Sequence, residues 1–419
     1  YEAVSFKRSE RKHEMDKLIR PLVATLCATT MCTSIIPQAF ATNTNDDEPQ
    51  FALTSYTADL NKAYVKAIRD APSPQTQEGS DSVALENATS LKDSFSDYGF
   101  TVNSISTESH FVSCLHTDNG TSEILAYLTT QIDSKLPEGT TSTIAPNGIL
   151  HSSLGDYHRI TFSDYTNPLA KSHYTVLSDQ ILDTESTDEA SSLNQYLLPN
   201  PSSTDISQAH MPQQTTASPR STYKETINVS KAVNYALKWT SAPYDDDKQE
   251  DYNPAFPYYG ENCANFASQI LYTGGLPKVQ GNIGQRKNLD IWTWELSGAF
   301  GGHTPSNTWS LAEDNYFHMR DYANWSNRVN NIYETPQMGL IYTDWTSDHT
   351  IDHVMFVIDN IPVPNSSHAG YKPMPIICQK SNNRNAVPLS TEMTYAHKKH
   401  PKDTISWFGL SANAKVRFI

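Results

Sequence analysis

The sequence predicts an α+β protein, and three observations lead there. Apolar residues recur at helical spacing at Leu60, Ala63, Tyr64, Ala67 and Ile68, and again at Val229, Ala232, Val233, Ala236 and Leu237. Short runs rich in β-branched and aromatic residues follow each stretch, as at Tyr157–Phe162 and His353–Ile358. Between the two groups lies a polar stretch over 188–221, where Pro199, Pro201, Pro212 and Pro219 sit among Ser, Thr, Gln and Asn. Such a stretch cannot bury enough apolar surface to order itself. The expected organisation is a leader over 1–41, a smaller α+β accessory domain over 42–187, a linker over 188–221 and a second α+β domain over 222–419.

A chain of 419 residues has room for these parts, and 37% hydrophobic residues can supply a core. The net charge of −15 disfavours nucleic acid as a partner. The leader reads as a signal peptide with an N-terminal extension. Lys7, Arg8, Arg11, Lys12, Lys17 and Arg20 form a basic region, Pro21 to Pro37 carries no charge, and Ala39-Phe40-Ala41 has the form of a cleavage site. The expected location is secreted, extracellular or cell-wall associated, and no later stretch reads as a membrane span. Cleavage would leave Cys114, Cys263 and Cys378, an odd number that keeps at least one thiol unpaired.

In the first domain, Pro72 and Pro74 end the opening helix. Phe111–His116 reads as a strand, and Ile124, Leu125, Leu128 and Ile132 read as a second helix ending near Leu136-Pro137. Strands follow at Tyr157–Phe162 and Tyr174–Leu177. The histidines here are scattered, with no pair at metal-ligand spacing on one helix face, so no metal is expected. A binding or positioning role fits this domain; cover over an active site is the alternative.

In the second domain, Asp245-Asp246-Asp247 lacks the spacing of a calcium loop and reads as a solvated turn. Phe266, Ile270 and Leu271 make a helical stripe that Gly274-Gly275 ends, so Cys263 falls in the first turn of a buried helix. The free amides at that end favour an anion, and a thiolate is the nucleophilic form of cysteine. Trp292, Trp294, Trp309 and Trp325 are expected in the core. Strands are expected at Leu340–Tyr342, His353–Ile358, Pro375–Gln379 and Lys415–Ile419. His353 opens one of them and is the natural base for Cys263.

Cys263-Ala264-Asn265-Phe266-Ala267-Ser268-Gln269 with Gly274-Gly275 resembles the cysteine motif of the putative amidase domain family. That family is related to the NlpC/P60 and CHAP cysteine peptidases and has a papain-like core. Its usual aspartate before the cysteine is Asn262 here. Asp344-Trp345 and Asp352-His353-Val354 resemble the family's histidine motif, Ala232-Val233-Asn234-Tyr235-Ala236 its upstream helix, and Ser306-Asn307-Thr308-Trp309 its Ser-x-x-Trp element.

The resemblance implies a papain-like domain over 222–419 that hydrolyses amide bonds in peptides or peptidoglycan, without metal or organic cofactor. It implies Cys263 as nucleophile and His353 as general base. The family's acceptor behind the base falls within Gln379-Lys380-Ser381-Asn382-Asn383, and Lys380 stands where a histidine is expected. A protonated lysine only donates, so Asn382 or Gln379 is expected to take that role. The backbone N–H of Cys263 is one expected oxyanion donor and Asn262 a candidate second. The departures at Asn262 and Lys380 leave an inactive surface binding module of the same fold as the alternative.

Overall fold

Two helices open the described chain, α1 (Asp47–Arg69) and α2 (Ser80–Ser96), followed by three long strands, β1 (Thr101–His116), β2 (Thr121–Lys135) and β3 (Ile149–Ser163), and a shorter β4 (Val176–Ile181). The computed structural model describes residues 47–69, 80–117, 120–163, 175–182, 225–240, 252–259, 261–298, 304–363 and 373–419. The expected leader, the linker at 188–221 and Asp245-Asp246-Asp247 lie outside them.

The second half begins with β5 (Glu225–Ile227), α3 (Val229–Thr240) and α4 (Cys263–Gly274). After a short helical turn, α5 (Asn307–Ser310), come α6 (Ala312–Asp321), β6 (Asn327–Val329), β7 (Leu340–Asp344), β8 (His353–Pro362), β9 (Pro373–Gln379) and β10 (Asn383–Pro388). The chain then adds α7 (Leu389–Lys399), β11 (Ser406–Ser411) and β12 (Val416–Phe418). Mixed α+β architecture is therefore what the chain adopts. β12 pairs in parallel with β5 as a separate two-stranded sheet.

The remaining strands form one ten-stranded sheet in the order β1-β2-β3-β10-β9-β8-β7-β11-β6, with β4 on β3. The length of β3 explains the branching. Its first half pairs with β10 through Ser153, Leu154 and Gly155, and its second half pairs with β4 from His158 to Phe162. Strands from before and after residues 188–221 thus share one hydrogen-bonded sheet.

One expectation is corrected. Residues 121–135 form β2, not a helix. Ile124, Leu128 and Ile132 are spaced by four, which fits one helix face and also every second position of a strand. Ala126, Thr130 and Ser134 are buried with them, completing a period of two. The four tryptophans Trp292, Trp294, Trp309 and Trp325 are buried, as core packing requires.

A charged seam runs along one face of β3. Asp156 and His158 are two residues apart, so both project to that face. Arg384 of β10, fully buried, places its guanidinium against both Asp156 oxygens at 3.0 Å. His158 meets Asp179 of β4 at 2.6 Å, and Asp179 also accepts from the Tyr56 hydroxyl of α1 at 2.7 Å. Burial opposes the His158 imidazolium, but the Asp179 and Asp156 carboxylates outweigh it and raise its pKa. A raised pKa contributes stability that is fully present below the unfolded value of about 6.5 and is lost as pH climbs through the folded value. The Tm advantage of the native chain over His158→Gln should therefore shrink as pH rises above about 6.5. A gap independent of pH across thermal melts would show that His158 is not a buried cation.

Candidate active site

Helix α4 begins at Cys263, directly after the non-helical Asn262, and polar groups inside it anchor it. Asn262 sits at the N-cap with φ −120° and makes no side-chain cap bond. Its Oδ1 instead accepts from Asn265 Nδ2 at 2.6 Å, and the same amide donates to the Pro257 carbonyl at 2.7 Å. Trp309 Nε1 donates to Asn265 Oδ1 at 2.6 Å. Ser268 Oγ donates to the Trp309 carbonyl and accepts from Trp292 Nε1 at 3.1 Å. Gln269 Oε1 accepts from the Tyr235 hydroxyl at 2.7 Å. The polar positions of the motif Asn265-Phe266-Ala267-Ser268-Gln269 thus fix the helix in place. At its far end Gly275 adopts φ 118°, the left-handed stop that the Gly-Gly pair signals.

This leaves the Cys263 thiol at the positive end of a twelve-residue helix, buried at 5% exposure. Its Sγ lies 3.9 Å from the carbonyl oxygen of Asp352, the residue before His353. His353 opens β8 opposite Thr343 of β7 and is itself buried. The Asp352 carboxylate accepts the Trp345 N–H at 2.8 Å, which fixes the loop before β8. The Trp345 ring stands 5.5 Å from the His353 ring and stacks on His400 at 5.7 Å.

A narrow cavity is lined by Trp345, His353, Gln379, Ser381, Asn382 and Glu392. The expected base and both expected acceptors therefore share one cavity. Ser381, which sequence reasoning passed over, joins it to α4: its Oγ accepts the Asn262 N–H at 3.1 Å. Gln379 Nε2 donates to Glu392 Oε1 at 3.1 Å and lies 3.4 Å from the Asn382 carbonyl. Gln379 Oε1 is buried with no hydrogen-bond partner among the described residues. Asn382 Nδ2 reaches the Leu182 carbonyl at 3.4 Å.

Lys380 lies elsewhere. Its ammonium sits 3.9 Å above the Tyr252 ring and 5.9 Å from the Phe266 ring, a buried cation–π site. The other second-half thiol, Cys378, lies in the middle of the sheet, and burial pushes it up to about 11. That thiol is inert at neutral pH.

A buried thiol at a helix start, set against the head of a strand that begins with histidine, defines a candidate nucleophile–base site on an α+β scaffold. Residues 226–402 match the family model described as "Putative amidase domain". The chain therefore carries a domain of this family, and Cys263, His353 and the 379–382 segment all lie inside it. The domain implies hydrolysis of an amide bond. No curated protein and no solved structure matches the chain.

Proposed function

We propose that this chain is a secreted cysteine amidase or peptidase, papain-like and related to the NlpC/P60 enzymes, that cleaves amide bonds in cell-wall peptides. The observation that supports it most is Cys263 as the first residue of α4 with its Sγ 3.9 Å from the carbonyl preceding His353. His353 takes the thiol proton, and the thiolate attacks the amide carbon. The backbone N–H of Cys263 donates to the resulting oxyanion, with the Asn262 side chain as the candidate second donor. As the C–N bond breaks, His353 returns the proton to the leaving amine, and a thioester remains on Cys263. Water, deprotonated by His353, attacks the thioester, releasing the carboxylic acid and restoring the thiol. Gln379 is the group we propose to hold the imidazole: its amide nitrogen is committed to Glu392, and its Oε1, which bonds to no described residue, lines the His353 cavity as the acceptor within it for the ring N–H. Asn382 is the second acceptor that the same cavity offers.

The test is incubation of the chain with peptidoglycan stem-peptide fragments, counting newly released amino groups. The native chain should release them. Fragments that bind without being cleaved would favour the binding-module alternative, which the lysine at position 380 suggests.

A further inference from the structure

We infer that Asp156, on a strand outside the matched domain, is a positioning residue of this active site, acting through Arg384 and Glu392 on the Gln379 amide. The inference rests on the proposed thiol chemistry and extends it to the first half of the chain. Each link from Asp156 to Gln379 is a direct contact between buried groups, and Gln379 lines the same cavity as His353. Asp156 holds two guanidinium nitrogens of Arg384 at 3.0 Å. Arg384 Nε donates to Glu392 Oε2 at 2.5 Å, and Glu392 Oε1 accepts from Gln379 Nε2 at 3.1 Å. Asp156, Arg384, Glu392 and Gln379 are each at most 2% exposed.

The chemistry of the last link sets the direction of the amide. A carboxylate only accepts, so Glu392 takes the NH₂ end of Gln379 and turns Oε1 away from itself. The Asn382 carbonyl selects the same end. Glu392 can do this because its two oxygens are divided, one to Arg384 and one to Gln379. That division depends on Asp156. With Asp156 in place, the Arg384 fork already has a bidentate partner. Without it, the fork has Glu392 as its remaining carboxylate and draws both Glu392 oxygens, and Gln379 loses the bond that orients it. Lys399 Nζ, 3.9 Å from Asp156, balances the second carboxylate, so the cluster is neutral as built.

The same segment supports the cavity a second way, through the Leu182 carbonyl on Asn382. Helix α7, which carries Glu392, is fixed by α2 as well: Ser390 Oγ donates to the Ser94 carbonyl at 2.8 Å. The first half of the chain is thus bonded directly to the elements that build the cavity.

The test is a double-mutant cycle on the full chain, reading the rate of Cys263 alkylation by iodoacetamide at pH 7 by peptide mass spectrometry. Asp156→Asn should slow labelling about tenfold, and Gln379→Ala by at least as much, below the roughly 10²–10⁴-fold ascribed to the acid–base group itself because both act through it. The double variant should be no slower than Gln379→Ala alone, because Asp156 acts through Gln379. Effects that multiply, or a rate unchanged by Asp156→Asn, would overturn the positioning role while leaving the amidase reading intact. A native chain whose Cys263 does not label at pH 7 would remove the amidase reading and this one with it. If circular dichroism shows that Asp156→Asn does not fold, Glu392→Met takes its place in the same cycle, since it leaves the Asp156–Arg384 pair in place.

Discussion

Cys263→Ala should lower amide hydrolysis by about 10⁴-fold or more, the scale seen when a covalent nucleophile is removed. The loss should not come from unfolding. The thiol is small, and its approach to the Asp352 carbonyl, at 3.9 Å, is weak. Helix α4 is anchored by Asn265, Ser268 and Gln269, none of which depends on the sulfur. Stability in urea should therefore change by less than about 1 kcal/mol. Hydrolysis that survives in the alanine variant would assign the chemistry to another group.

Arg384→Met should have the largest effect on stability. The arginine is fully buried and partners two buried carboxylates, Asp156 and Glu392. Burial favours the neutral form of Asp156, yet Arg384, Lys399 and His158 outweigh it and hold the carboxyl below the usual range. Methionine fills much of the volume but leaves both acids without their main counter-charge. Breaking a buried pair from one side costs about 3–5 kcal/mol, a large part of the roughly 5–15 kcal/mol that holds a domain folded. Urea denaturation at pH 7 reads the difference directly. A loss under about 1 kcal/mol would mean that water reaches the carboxylates and that the seam is not a buried network.

The local parts of the site were legible in the sequence, and the long-range parts were not. The stripe after Cys263 and the glycine stop marked α4 correctly, because helix periodicity and a left-handed cap are properties of neighbouring residues. His353 at the head of a strand was visible for the same reason. β2 was misread because spacings of four satisfy two periodicities at once. Helix α7 gave no signal: Thr391, Thr394 and the polar Glu392 interrupt any apolar stripe, and tertiary contacts with α2 hold it. The Asp156–Arg384 pair joins residues 228 positions apart, a separation that no local pattern encodes. Lys380 occupies the position where the resemblance led us to expect a histidine, but its ammonium lies over Tyr252, and its neighbour Gln379 lines the cavity with His353.

The most direct test of the proposed chemistry is the pH dependence of Cys263 alkylation in the native chain and in His353→Ala. A thiolate held by the α4 terminus and the His353 imidazolium should label with a midpoint well below the ordinary thiol value of about 8.5. Removing the imidazole should move that midpoint back toward it. A native midpoint at or above about 8.5, unchanged in His353→Ala, would make Cys263 a structural thiol and contradict the assignment of this site as a cysteine amidase.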